Sequence, residues 1–165
     1  MTELRPIQPA DDSAIAAIIR DVMTEYGAVG EGYSIVDPEV NGMTAAYSGD
    51  RAAYFVALLD SEIVGGAGVG PLAGGAEGVC ELKKMYLRPA ARGHGLGRQL
   101  LGLCLETASK LGYTTCYLET LTHMTEARGL YEQAGFEQQG APLGATGHYR
   151  CDGWYTKDLA IADSR

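Results

Sequence analysis

The sequence predicts an α/β (α+β) fold in which one mixed β-sheet carries helices on both faces. Apolar and β-branched runs of strand length are separated by turns rich in glycine. Two longer segments repeat apolar residues at the spacing of amphipathic helices. Late in the chain the expected order is strand, loop, helix, strand, helix, strand, strand, which suits a mixed sheet covered on both sides.

The first third of the chain is predicted to contain one strand and one clear helix. Residues 2–7 form the strand, and the helix begins with Asp12 as its N-cap and ends at Gly27. Residues 28–50 carry a weaker pattern, which predicts a loop followed by a helix near residues 38–47. Segments of this kind often supply substrate loops.

The rest of the chain alternates strands with two further helices. A turn at Asp60 and Ser61 separates the first two strands, and the glycine-rich residues 70–78 form a loop before the third. A helix begins near Gly97 and stops at Gly112, since glycine commonly follows the last helical turn. The predicted strands are residues 52–59, 63–69, 79–87, 113–120, 136–139 and 149–159, and the last helix is residues 125–134.

The composition fits one globular domain, residues 1–165, and argues against several classes of protein. The net charge of −8 argues against a nucleic-acid partner, because neutralising phosphates supplies most of that affinity. No apolar run approaches the ~18 residues of a membrane-spanning helix, and the N-terminus lacks the apolar core of a signal peptide. The sequence therefore predicts a cytoplasmic protein with no membrane partner.

The potential metal ligands are scattered along the chain. No two cysteines have CxxC spacing, and the histidines are equally far apart. We therefore expect no structural metal, and expect reduced cysteines that serve in packing. The residues concerned are Cys80, Cys104, Cys116, Cys151, His94, His123 and His148.

A basic, glycine-containing stretch stands out in this acidic chain. Its sixteen residues, 83–98, contain five cations and no acid, which indicates either a phosphorylated ligand or a solvated surface patch. The cations are Lys83, Lys84, Arg88, Arg92 and Arg98.

Three glycines of this stretch directly precede a predicted helix. Gly93, Gly95 and Gly97 allow backbone amides to turn inward together, next to the unpaired donors of a helix N-terminus. Such an arrangement suits a pyrophosphate, with Arg92 and Arg98 adding charge, although a flexible structural loop would have the same composition. The spacing matches neither the Rossmann fingerprint nor the P-loop.

Two motifs give the chain a specific resemblance to a known family. The run Arg92-Gly93-His94-Gly95-Leu96-Gly97 resembles the acetyl-CoA signature of the GNAT superfamily, Arg/Gln-x-x-Gly-x-Gly/Ala. Leu87-Arg88-Pro89 before it and Leu130-Tyr131-Glu132-Gln133-Ala134-Gly135-Phe136 after it are also similar to that family. The resemblance is close over residues 79–140 and otherwise follows the order of elements.

The resemblance implies the GNAT fold, with a mostly antiparallel central sheet of six to seven strands and about four helices. It implies an N-acetyltransferase that uses acetyl-CoA as co-substrate, without a metal. The family includes homodimers, so the resemblance leaves a homodimer open. A non-catalytic acyl-CoA sensor of the same fold stays as an alternative.

The family's functional positions can be carried over to this chain. The backbone of Met85, Tyr86 and Leu87 would pair with the pantetheine arm, and an amide of that strand would polarise the thioester carbonyl. The pyrophosphate would bind the amides of the signature loop and its helix. The residues implied in this loop are Arg92, Gly93, His94, Gly95, Leu96, Gly97 and Arg98.

Two side chains resemble the family's catalytic groups. Tyr131 would be the general acid for the departing thiolate, since a phenol and a thiol have similar ordinary pKa values. Glu81 would be the general base for the acceptor amine if burial raises its pKa. The alternatives are a core aromatic for Tyr131 and an ion pair with Lys83 for Glu81.

The acceptor is predicted less sharply, as a small amine with an amino acid slightly ahead of a polyamine. A protein lysine is a further alternative. Residues 147–155 would contribute through an edge hairpin, whose aromatic residues could instead form cross-strand pairs. The expected substrate-binding residues are Tyr26, Lys83, His148 and Tyr155.

One position departs from the family pattern. An asparagine that many members carry before the tyrosine-bearing helix is replaced by Met124. We expect the hydroxyl of Thr122 or Thr125 to make its contact to CoA instead.

Overall fold

Seven strands and four α-helices form in a computed structural model that describes residues 1–159. The strands are β1 (Thr2–Pro6), β2 (Ala53–Leu59), β3 (Glu62–Pro71), β4 (Val79–Leu87), β5 (Thr115–Thr120), β6 (Glu137–Gln139) and β7 (Gly153–Asp158). The helices are α1 (Asp12–Glu25), α2 (Met43–Ala46), α3 (Leu96–Lys110) and α4 (Thr125–Gln133). None of these helices is long and apolar enough to cross a membrane.

All seven strands belong to one sheet, in the order β1-β2-β3-β4-β5-β7-β6. Neighbouring strands are antiparallel except β4 and β5, which run parallel. The predicted class is therefore confirmed: a mixed, mostly antiparallel sheet with helices on both faces. The apolar face of α1 packs on one side of the sheet, and that of α3 packs on the other.

Several local predictions differ from the structure at element boundaries. Asp12 is the first residue of α1 and not its N-cap, because a 3-10 turn at Pro9–Asp11 precedes the helix. The helix expected at residues 38–47 is a 3-10 turn at Pro38–Asn41 followed by the short α2.

The predicted edge hairpin near the end of the chain is wrong. Strand β7 begins only at Gly153 and lies inside the sheet, between β5 and β6. The aromatic run therefore divides into a loop up to Asp152 and an interior strand, with β6 as the sheet edge.

The two central parallel strands separate soon after they pair. Only residues 79–81 of β4 are in register with residues 115–117 of β5. Beyond Glu81 and Tyr117 the two strands diverge and leave a V-shaped gap in the sheet. A gap of this kind gives a ligand access to unpaired strand backbone.

A β-bulge interrupts β4 beside this gap. The register against β3 shifts by one residue around Lys84, whose φ is +53°. The Tyr54 hydroxyl donates a 2.7 Å hydrogen bond to the Lys84 carbonyl oxygen. Tyr54 can reach it because β3 has glycine there: a Cβ placed on Gly66 would lie 2.6 Å from the Tyr54 ring. Glycine in this strand therefore makes room for the residue that holds the bulge.

Candidate active site

Residues 92–97, the loop before α3 together with the start of that helix, are called the glycine loop here. A cleft of about 330 Å³ lies between the end of β4, the glycine loop and α4. Met85 and Leu87 form one wall, and Ala127 and Leu130 form the other. The glycine loop closes one end of the cleft, and Tyr131 lines the other.

The glycine loop has the geometry that the sequence predicts. Gly93 and Gly95 have φ values of +85° and +78°, which favour glycine. Helix α3 starts at Leu96, so the amides of its first three residues have no intrahelical partner. A Cβ placed on Gly97 would lie 3.3 Å from the Leu130 side chain in the cleft wall. The loop therefore offers amide donors and a positive helix end to an anion.

The predicted positive charge of this region is largely neutralised within the protein. Four of the five basic side chains pair with carboxylates of α1 or the loop after it. Arg98 is exposed and donates a hydrogen bond to the Gln133 side chain instead. The pairs are Lys83 with Glu39, Lys84 with Asp37 and Glu39, Arg88 with Asp21, and Arg92 with Glu25.

Arg92 connects the glycine loop to α1 and to the end of β4. Its guanidinium donates to both Glu25 carboxylate oxygens, at 2.7 and 2.8 Å, and to the Leu87 carbonyl oxygen. Its Cζ also lies 5.7 Å from the ring centroid of Tyr26. The structure thus gives Arg92 a role in positioning the loop, in place of a free charge at its mouth.

Removing the Arg92–Glu25 contact should weaken cofactor binding without removing a phosphate ligand. Arg92→Gln and Glu25→Gln are each expected to raise the Kd for acetyl-CoA about 5- to 20-fold, because both release the loop from α1. Isothermal titration with acetyl-CoA measures this, with Glu106→Gln on the exposed face of α3 as the matched control. A Glu25→Gln variant that binds as tightly as the wild type, beside a weakened Arg92→Gln, would show that Arg92 binds phosphate directly.

A second, narrower pocket lies on the α1 side of the gap. Its volume is about 60 Å³, and its lining includes Glu81 and the loop after α1. Four residues line both this pocket and the larger cleft, so the two spaces meet. These shared residues are Met85, Tyr86, Met124 and Tyr131.

Glu81 lies at the last position where β4 pairs with β5, and its side chain is buried. Burial raises its pKa to about 7, and the nearby Glu119 carboxylate adds to that effect. The cations Lys83 and His148 oppose the rise without cancelling it. A carboxyl group with this pKa can exchange a proton near neutral pH.

His148 joins two carboxylates at the back of the pocket. Its Nε2 lies 2.9 Å from both Asp37 oxygens, and its Nδ1 lies 3.2 Å from Glu119 Oε1. Burial lowers the pKa of His148, but these two hydrogen bonds outweigh it and raise the pKa to about 9. The imidazole is therefore a cation at neutral pH and holds the loop containing Asp37 against β5.

Lys84 anchors the same loop from the bulge. Its side chain is 1% exposed, and its Nζ lies 2.7 Å from Asp37 and 3.3 Å from Glu39. Burial raises the pKa values of both carboxyl groups, but other contacts outweigh it and lower them below their usual range. For Asp37 these are the His148 hydrogen bond and then the Lys84 charge, and for Glu39 they are the Lys84 charge and then the Tyr47 hydrogen bond. The bulge thus supplies a buried cation that closes the pocket on the α1 side.

Tyr131 projects from α4 to the junction of the two spaces. Burial raises the pKa of its hydroxyl, which keeps the phenol protonated. Its ring packs edge-on against Phe136, with centroids 6.0 Å apart. The side chain is therefore both part of the core and exposed to the cleft.

The four residues expected to bind substrate do not gather in one place. Lys83 and His148 line the narrow pocket, but both are held in ion pairs. Tyr26 lines the larger cleft instead. Tyr155 is fully buried beneath Tyr131, and its hydroxyl bonds the side chains of Arg128 and Glu132 on α4.

The placement of Tyr155 follows from strand alternation. It is in register with Leu118 of β5, and both side chains belong to the core on the α3 side. Its neighbour Trp154 pairs with Glu119, whose side chain lies on the pocket side. Tyr155 is therefore a packing residue, and the predicted contact to substrate is corrected.

The side chains of two residues of the glycine loop lie outside the cleft, which leaves only their backbone amides for the implied role. His94 is exposed and does not line the cleft, and the Leu96 side chain is buried in the core. The Thr122 hydroxyl, expected to replace the family asparagine, donates to Asp152 at 2.9 Å. Met124 itself lines the cleft.

Three acidic residues of the site were not predicted from the sequence: Asp37, Glu39 and Glu119. Glu119 has a local signal, because it alternates with the buried Leu118 on a short strand and so faces the opposite side. Asp37 and Glu39 have no local signal for this site, since the lysines with which they pair lie more than forty residues away.

Glu81, Glu119 and His148 each place a potential metal ligand atom within 4.8 Å of the other two. Both nitrogens of His148 already face carboxylates, however, which fits an imidazolium better than a metal ligand. The expectation of no metal stays a prediction.

Comparison with known proteins agrees with this architecture. Residues 16–136 match the sequence model of the Acetyltransferase (GNAT) family. The uncharacterized N-acetyltransferase YjgM of Escherichia coli (strain K12) is 42% identical over 150 residues, covering 90% of each chain. This protein therefore belongs to the GNAT acetyltransferase family and is an N-acetyltransferase.

Solved structures show the same fold at lower sequence identity. A GNAT-family acetyltransferase from Staphylococcus aureus superposes with a TM-score of 0.83 at 17% identity, covering 97% of this chain and 100% of its own. A phosphinothricin acetyltransferase from Sinorhizobium meliloti, in complex with acetyl-CoA, has a TM-score of 0.77 at 23% identity, covering 96% and 88%.

Proposed function

We propose that this protein transfers an acetyl group from acetyl-CoA to the primary amine of a small molecule, by direct attack in a ternary complex. The observation that carries this proposal is the junction of the larger cleft with the narrow pocket. Tyr131 of α4 and Met85 and Tyr86 of β4 line both spaces. Two substrates that enter from opposite faces of the sheet would meet there.

The larger cleft fits the CoA end of the donor. The amides of Leu96, Gly97 and Arg98 would bind the pyrophosphate, with the Arg98 side chain adding charge. On the β5 side, the backbone of Met85–Leu87 is free of strand pairing, so it would pair with the pantetheine arm as an added strand. Met124 would contact the same arm by packing, where many relatives have a polar side chain.

Glu81 is proposed as the general base. An amine that enters as an ammonium ion must lose a proton before its nitrogen can attack the thioester carbonyl. A buried carboxylate with a pKa of about 7 accepts that proton near neutral pH. The nitrogen then forms its bond to the acetyl carbon, and the carbon–sulfur bond breaks.

Tyr131 is proposed as the general acid for the departing thiolate. Its raised pKa makes it a weaker acid than a free phenol. The same burial raises the pKa of a thiol leaving beside it, because a low-dielectric site disfavours both anions. The proton therefore passes from the phenol to the sulfur, two groups whose pKa values are both raised. The tyrosinate then takes the second proton of the nitrogen, which is lost as the amide forms.

The size of the narrow pocket supports a small acceptor. Its volume of about 60 Å³, against about 330 Å³ for the larger cleft, leaves little room for a large acceptor. Ion pairs of Lys83 and Lys84 with the loop after α1 close its outer side. A protein lysine and a non-catalytic sensor are the other outcomes of the test.

The test is release of CoA thiol from acetyl-CoA with separate panels of amino acids, polyamines, aminoglycosides and a lysine peptide. Release that saturates with at least one small amine supports the proposal. Turnover of the lysine peptide alone would replace it with protein acetylation. Tight acetyl-CoA binding with no release above hydrolysis in any panel would indicate a sensor.

A further inference from the structure

Arg150 is an exposed cation next to a residue that lines the narrow pocket, and it pairs with no carboxylate among residues 1–159. Its guanidinium stacks over the ring of Tyr33, with Cζ 4.9 Å from the ring centroid. Tyr33 lines the pocket, and so does Cys151, the next residue along the chain. The cation is therefore held against one lining residue of the proposed acceptor site, and it is adjacent in sequence to a second.

The position of Arg150 is fixed by its backbone and stem. Its amide donates to the Gly32 carbonyl oxygen at 3.1 Å, and the Cys151 amide donates to the His148 carbonyl oxygen at 3.1 Å. A Cβ placed on Gly32 would lie 2.5 Å from Arg150 Cγ. Glycine at position 32 thus makes room for the arginine stem, and the guanidinium edges stay open to a ligand.

The other cations of the pocket are already committed to the protein's own acids. Lys83 binds Glu39, Lys84 binds Asp37 and Glu39, and His148 bridges Asp37 and Glu119. Removing any of these contacts to bind a substrate would leave a carboxylate uncompensated in a buried site, which is costly. These three cations therefore stabilise the pocket and do not bind the acceptor.

The charge balance then favours one class of acceptor. Once Glu81 is ionised, the pocket and the loop that closes it hold four carboxylates, and Arg150 brings the cations to four. A zwitterion keeps that balance if its ammonium faces Glu81 and its carboxylate faces Arg150. A polyamine would bring further positive charges with no carboxylate left to receive them.

We infer that the acceptor is an amino acid whose carboxylate binds Arg150. This inference rests on the proposed transfer to a small amine and names its substrate class. Arginine presents paired N–H donors that match a planar carboxylate, and stacking on Tyr33 orients that fork. The protein's net charge of −8 disfavours anions in general, so a dedicated cation is needed to bind one.

The test compares each of the twenty amino acids with its decarboxylated amine, such as phenylalanine with phenethylamine. The wild-type kcat/KM is expected to be at least about tenfold higher for the amino acid of the preferred pair. Arg150→Gln should lower that value about 10- to 100-fold, mainly through KM, while changing the value for the matched amine less than about threefold. Arg150→Lys should recover part of the loss.

Two controls distinguish failure of this inference from failure of the proposed acetylation of a small amine. Lys110→Gln removes an exposed cation at the end of α3 and should leave both activities unchanged. An unchanged Kd for acetyl-CoA in Arg150→Gln shows that the variant is folded. Equal turnover of both members of every pair, or an equal loss for both in Arg150→Gln, would overturn the inference and leave amine acetylation standing. No turnover of either set would overturn both.

Discussion

Replacing Tyr131 with phenylalanine is expected to lower kcat by about 100-fold, with the Kd for acetyl-CoA changed less than about threefold. The substitution removes only the hydroxyl, and the ring stays packed against Phe136. Loss of a positioned general acid typically costs a factor of this size. Steady-state kinetics with saturating acetyl-CoA and calorimetric titration measure the two quantities.

Tyr155→Phe is the matched control for this prediction. It removes a second buried phenol, whose ring centroid is 6.2 Å from that of Tyr131 and whose hydroxyl bonds Arg128 and Glu132. We expect it to lower Tm while changing kcat less than about threefold. A decrease in kcat below threefold in Tyr131→Phe, or equal decreases in both variants, would remove the acid role from Tyr131.

Glu81→Gln is expected to lower kcat/KM for the acceptor about 100-fold at pH 8 and to remove the levelling-off of activity above pH 7. In the wild type, Glu81 acts as a base only when ionised, and its pKa is about 7. Activity should therefore rise about tenfold per pH unit below pH 7 and level off above it. Glutamine cannot ionise, so the variant should lack the change of slope near pH 7, and its activity should continue to rise toward the pKa of the amine itself.

The same substitution should stabilise the protein at high pH. The folded pKa of Glu81 lies above its ordinary value, so its contribution to stability is present at low pH and is lost as pH rises through about 7. Glu81→Gln should therefore have a higher Tm than the wild type at pH 8, which separates lost activity from lost folding.

Glu137→Gln, on the exposed edge strand, is the control for both measurements, since it removes a carboxylate far from the pocket. A Glu81→Gln profile that keeps the change of slope near pH 7 would exclude Glu81 as the base.

Features encoded by neighbouring residues could be predicted from the sequence. The glycine loop depends on positive φ at Gly93 and Gly95 and on the helix that follows, all within a few residues. The placement of Tyr131 on a short helix was likewise a local pattern. Because the glycine loop and the helix of Tyr131 line the larger cleft, this cleft could be predicted together with them.

Features set by distant partners could not be predicted in this way. Nothing near Lys84 in the sequence shows that a bulge turns its side chain toward Asp37, forty-seven residues away. The neutral balance of the basic stretch depends on acids of α1 and the following loop. The error at Tyr155 arose because the strand was taken as an edge hairpin, whereas inside the sheet its alternation directs this residue into the core.

The alternative to direct transfer from acetyl-CoA to the amine is transfer through an acetylated residue of the same pocket. Cys151 lines it, and a cysteine could accept the acetyl group before the amine does. Burial raises the pKa of that thiol to about 12, so it stays protonated and is a poor nucleophile at neutral pH.

The decisive measurement is the intact mass of the enzyme during a single turnover with acetyl-CoA, with and without the preferred amine. We expect the mass of one acetyl group to appear only on the amine, with the enzyme unmodified at every time point. An acetylated enzyme that forms without amine and is discharged by it, and that is absent in Cys151→Ser, would contradict direct transfer.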